Sequence, residues 1–186
     1  MTNHFIFLEN KYLAARSNLL LVLLFTVINI VLLITQSNTY FLFSASIPYM
    51  LVDLGMFLCG MYPEELYTGE LAGMEFLPSA VFTVMLIMAI SMLALYFIAW
   101  LLSKKHKIGW LIFALILFSI DTVGMFVYFG ISLSMILDIV FHGWIIGILA
   151  VGISAHYKLV NLPKEEPEPE IKNEETNQEE NNDFSY

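Results

Sequence analysis

A chain of 186 residues that is 59% hydrophobic, with a mean hydropathy of +0.75, carries more apolar side chain than one small soluble core can bury. Its formal charge of −9 describes no binding face, because residues 163–186 hold nine of the 17 acids and two lysines, −7 in all, leaving −2 over the rest. The single Cys59 excludes an internal disulfide and any paired-cysteine redox or zinc motif, and no nucleic-acid partner is expected.

In residues 1–17, Phe5, Leu8 and Tyr12 recur at helical spacing beside Glu9 and Lys11, which predicts a short interfacial helix on a membrane surface. The run "NLLLVLLFTVINIVLLIT" follows Lys11 and Arg16 and contains no full charge, so residues 18–36 read as a first span. It exceeds the roughly 7 to 15 apolar residues of a signal peptide and lacks a prompt small-residue cleavage site, which predicts an uncleaved helix.

Residues 40–60, "YFLFSASIPYMLVDLGMFLCG", are long enough to cross but are broken by Ser46, Pro48, Asp53 and Gly55. With Ser46 as a helix cap and Pro48 in the first turn, a helix over about 46–60 covers only about 21 Å. The loop that follows carries Glu64, Glu65, Glu70 and Glu75. Three further spans are predicted at 79–102, 108–130 and 134–157. They are joined by the basic loop "SKKHK" at 103–107 and a turn near Gly130, and short connections make them antiparallel neighbours. The fold class is therefore an all-α, polytopic membrane helical bundle of four transmembrane helices plus one re-entrant or interfacial helix. Five transmembrane helices are the alternative.

Charge arbitrates between the two. Lys104, Lys105 and Lys107 mark the 103–107 loop as cytoplasmic. If residues 40–60 do not cross, Lys11, Arg16 and Lys158 fall on the same side, and both termini are cytoplasmic. The tail 161–186 is acidic, proline-bearing and of low complexity, which predicts a disordered cytoplasmic segment. The composition suits a bacterial cell membrane, with the lipid bilayer, a membrane-protein partner or a second copy of the chain as partners.

The polar residues of the spans are distributed unevenly. Counted from the outer ends, Asp138 lies about 6 Å deep, Asn29 about 10 Å, His142 about 12 Å and Asp121 about 13 Å. The inner stretches "MLALYFIAWLL", "IGWLIFALILF" and "WIIGILAVGISA" hold no ionisable side chain other than a tyrosine phenol. A buried charge in hydrocarbon needs a partner, and Asp138 and His142 are stacked at i,i+4 with Asp121 level with them on the preceding helix. Tyr49 and Asp53 share a helix face by the same spacing.

These six residues (Asp138, His142, Asp121, Asp53, Asn29 and Tyr49) form the candidate ligand or ion pocket in the outer half of the bilayer. The other reading is a set of interhelical hydrogen bonds that only fix packing. No cofactor is predicted. A divalent metal would have to use Asp138, His142 and Asp121. Gly143, Gly147 and Gly152 predict close helix approach. Among function classes, transport by a monomer lacks polar stepping stones in the inner half, and no HExxH, GxSxG or phosphate-loop motif occurs. A binding or sensing membrane protein, an accessory subunit of a larger complex, and a small enzyme using Asp138 and His142 as a general-base pair remain.

Overall fold

A computed structural model describes residues 2–37, 39–130 and 133–162. The described residues form five α-helices: α1 (Thr2–Ile34), α2 (Ser46–Leu58), α3 (Ser79–Leu102), α4 (Ile108–Phe129) and α5 (Ile136–Val160). No strand occurs among the described residues. Four of the helices, all but α2, are long and apolar enough to cross a membrane. They also show their apolar surface outward: only 11% of the most apolar window of α3 is buried, and Val123, Val127 and Leu137 are all well exposed. The acidic tail predicted at 161–186 lies outside the described residues from 163 onward.

The expected break between an interfacial segment and the first span does not appear. No glycine or proline interrupts residues 2–34, and the Asn18 amide donates back to the Ala14 carbonyl at 2.8 Å instead of capping a new start. Residues 2–34 therefore form one helix of about 50 Å. Its tyrosine and arginine dock on the far end of α3: the Tyr12 hydroxyl donates to the Ser103 carbonyl at 2.6 Å, and Arg16 reaches Ser103 Oγ at 2.9 Å and the Trp100 carbonyl at 3.3 Å. The basic residues of α1 thus share one end of the bundle, the lysine end, with the 103–107 loop.

α1 packs most extensively on α5. Gly152 makes this possible, since a Cβ placed there would fall 2.3 Å from that of Ala15. Gly143 and Gly147 do not share this role: a Cβ on either meets nothing within 4 Å, so of the three glycines expected to draw helices together only Gly152 does so. Tyr12, Leu19, Tyr96, Leu111, Phe118 and Leu149 fill the main core, and a second cluster of Ile30, Val52, Met56 and Ala89 seats α2 on α1 and α3.

The segment between α1 and α3 makes a closed excursion. The Gln36 side chain donates to the Met61 carbonyl at 2.9 Å, and the Leu77 amide donates to the Leu58 carbonyl at 2.9 Å. Its two ends therefore meet at the end of the bundle opposite the lysines. From Thr39 to Ala45 the chain runs back down α1 in non-helical conformation and turns into α2, which at 13 residues rises about 20 Å to return. Glu64, Glu65, Glu70 and Glu75 lie exposed in the loop beyond. Gly60 anchors this loop with φ of +67° and the Phe76 ring 2.7 Å from where a Cβ would stand, so a side chain there would be strained and would displace Phe76.

Candidate functional site

The descending segment carries backbone groups that pair with no helix of their own, and polar side chains of the neighbouring helices meet them one by one. Asn29 on α1 makes a two-way pair with Phe41, donating to its carbonyl at 2.6 Å and accepting from its amide at 2.8 Å, and also donates to Ser44 Oγ at 2.9 Å. One turn earlier, Thr26 Oγ1 accepts the Ala45 amide at 2.7 Å while its own proton goes to the Val22 carbonyl. Asp121 on α4 then takes the next two amides, Ser46 N–H on Oδ2 at 2.7 Å and Ile47 N–H on Oδ1 at 2.8 Å.

That last pair corrects the expected cap. α2 begins at Ser46 after Ala45, with no cap from its own side chains. A carboxylate from another helix supplies the cap, placed where first-turn amides and the helix dipole favour negative charge. Ser46 Oγ is thereby free to turn to His142, 3.3 Å from its Nε2. Gly124, one turn beyond Asp121, leaves room for this approach, since a Cβ there would lie 2.8 Å from the Ile47 side chain.

His142 completes the cluster. Its Nδ1 donates to the Asp138 carbonyl at 2.8 Å, which fixes the hydrogen on that nitrogen because a carbonyl only accepts. Nε2 faces Ser46 Oγ and stands 3.5 Å from Asp121 Oδ2. Phe118 stacks on the ring with centroids 5.0 Å apart. Asp121 is 0% and His142 3% exposed.

The six candidate residues therefore separate into groups. Asp121 and His142 meet, as their equal depth predicted. The i,i+4 relation of Asp138 to His142 is realised through the Asp138 main chain, and Asp138 itself is half-buried. Asp53 belongs to a different contact: it accepts from the Tyr62 and Tyr128 hydroxyls, the latter at 3.0 Å, and so ties α2 to the outer loop and to α4. Burial and the Asp53 carboxylate push the Tyr62 phenol well up from its ordinary value. Tyr49 packs edge-on against Tyr40 at 5.4 Å, and Tyr40 hydrogen-bonds Ser44 at 3.0 Å. Among the described residues no group of three or more His, Cys, Asp or Glu side chains is placed to hold a metal ion. Both oxygens of Asp121 already accept amides.

A second polar cluster, not anticipated from the sequence, occupies the lysine end. Glu9 Oε2 stands 3.2 Å from His106 Nε2. The rings of Tyr12, His106 and His156 form a triangle, with centroid separations of 4.8 Å between Tyr12 and His106, 5.5 Å between His106 and His156, and 5.6 Å between Tyr12 and His156. Glu9, Tyr12 and Arg16 follow one face of α1 at i, i+3 and i+7. That spacing is the available signal, but it has meaning only if α1 is one helix from its start.

No family model, curated protein or solved structure matches this chain.

Proposed function

We propose that this protein is a non-enzymatic integral membrane protein acting as an accessory subunit of a larger membrane assembly. Its four long helices span the bilayer, its lysine end and both termini face the cytoplasm, and α2 is a re-entrant helix dipping into the outer half. Irregular backbone at membrane depth is tolerated only where protein satisfies its polar groups. Thr26, Asn29 and Asp121 serve that purpose.

The observation that carries the subunit reading is the structural engagement of Asp121. Each of its oxygens accepts an amide of the first turn of α2, so the buried carboxylate at the heart of the expected outer pocket is committed to holding that helix. The same engagement weighs against a general-base pair, because His142 Nε2 points at Ser46 and Asp121 inside the bundle.

The test is isolation from native membranes in mild detergent, comparing the natural sequence with Asp121→Asn and His142→Gln. Recovery of a stoichiometric membrane partner that is lost in Asp121→Asn, together with a lowered melting temperature, supports the subunit reading. A solitary chain whose melting temperature rises with an external cation or small polar ligand, and loses that response in His142→Gln while staying folded, overturns it in favour of a binding protein. Impermeant thiol reagents on a Cys59→Ser background, with single cysteines at Glu70 and Lys158, test the orientation separately.

A further inference from the structure

The flank where α1 and α5 meet carries a groove of about 300 Å³, lined by Lys11, Ala14, Trp144, Gly147, Ile148 and Val151. Small residues keep it open. Ala14 offers only a methyl, and a Cβ built on Gly147 meets nothing within 4 Å. Trp144 closes one end, held edge-on by the Phe43 ring at 5.5 Å. From Trp144 to Val151 α5 rises about 10 Å, so the groove is long for its volume.

Its lining is apolar but for the head of Lys11, and that head is turned away. Lys11 Nζ lies 4.3 Å over the Phe7 ring, one turn nearer the start of α1. The residue therefore lends its aliphatic stem to the groove and sets its charge at the mouth. Lys158 is exposed on the same face of α5 as Gly147 and Val151, seven residues beyond Val151 and toward the same end. Glu9, the one acid of α1, lies on the other side of that helix against His106. Among the described residues neither lysine forms an ion pair.

An apolar trough that ends at two cations matches an amphiphile with a negative head. A soluble anion would gain the lysines and nothing from the groove, and a neutral lipid would gain the reverse. A partner helix, about 10 to 12 Å wide with its side chains, is too broad to enter and could only lie across the opening. We propose that the groove seats one acyl chain of an anionic phospholipid, with the lipid phosphate at Lys11 and Lys158. This rests on the membrane reading above, which puts the lipid in the leaflet on the lysine side.

The experiment measures the melting temperature of the full chain in detergent against rising dioleoyl phosphatidylglycerol, dioleoyl phosphatidylcholine or glycerophosphoglycerol, the last being the anionic headgroup without its chains. Half-maximal stabilisation is expected at a lower concentration of the glycerol lipid than of the choline lipid, with none from the chainless headgroup. Lys11→Gln should raise the concentration needed for the glycerol lipid about fivefold and leave that for the choline lipid unchanged. Gly147→Leu builds into open space, so it should fold, and it should raise both concentrations at least about tenfold. Equal responses to the two lipids overturn the proposal, as does a Gly147→Leu chain that responds like the natural one. A dimer in detergent that Gly147→Leu dissociates assigns the groove to a second copy and overturns it as well. A chain that stays monodisperse without detergent overturns the membrane reading and this proposal together; a detergent-dependent chain with no lipid response overturns this proposal alone.

Discussion

The two ends of the bundle use buried polar residues in opposite ways. Away from the lysines, Thr26, Asn29, Asp121 and His142 are each matched to a main-chain or hydroxyl group of the segment that leads into α2. At the lysine end, His156 Nδ1 has no hydrogen-bond partner among the described residues, and Glu9 meets only the partly exposed imidazole of His106. The difference separates side chains that make an awkward backbone path tolerable from side chains whose polar atoms are only partly engaged. An ionisable residue in an apolar helix is therefore not informative until its partner is known.

The comparison breaks most readily at Asp121. Asp121→Ala strips the partner from two buried amides, so a loss of about 3 to 5 kcal/mol is expected. A lowered unfolding midpoint in detergent and faster proteolysis after Met61 would register it. If Asp121→Ala melts like the natural chain, the carboxylate does not hold α2. Asn29→Ala comes next, at about 2 kcal/mol, because one amide group satisfies both polar groups of Phe41. Hydrogen exchange should rise at residues 39–45 in this variant and stay unchanged in α5.

Tyr62 gives a smaller effect with a defined pH sense. Its phenol is pushed up by burial first, then by the hydrogen bond and charge of Asp53. A group whose folded value is raised gives full stability below its unfolded value, about 10 for tyrosine, and loses it as pH rises beyond that. Natural protein should therefore lose stability as pH rises above about 10, whereas Tyr62→Phe should cost about 1 kcal/mol at neutral pH and show a shallower alkaline decline. Parallel alkaline profiles for the two would remove Tyr62 from the contact.

Much of this fold is legible in the residues themselves. The starts and ends of α3, α4 and α5 follow from apolar length, Pro78, the lysines and Gly130. The shared level of Asp121 and His142 follows from helical rise alone. What the sequence does not display is that the partners of Asp121 are amide groups, which nearly every residue carries and no residue type advertises. Ser46 looks like a cap for the same reason, and the cap comes instead from a helix 74 or 75 positions away. The lysine-end cluster stays hidden because Glu9, Tyr12 and Arg16 read as a surface segment until α1 is known to continue unbroken to Thr2. Gly143 and Gly147 mislead in the opposite direction: their spacing suggests a seam, but only Gly152 has Ala15 against it.

Glu9→Gln should have the smallest effect of the four, and its smallness is what sharpens the contrast between the ends. The Glu9 side chain is 25% exposed, its contact with the 41% exposed His106 is partly screened by water, and its Oε2 already lacks a well-directed hydrogen bond. Removing the charge should change stability by less than about 0.5 kcal/mol in detergent. A group that holds structure as Asp121 does cannot be neutralised with so little effect, whereas a water-screened contact can. A loss matching that of Asn29→Ala would mean that Glu9 secures the fold just like the residues around α2, and the two ends would differ only in how exposed they are.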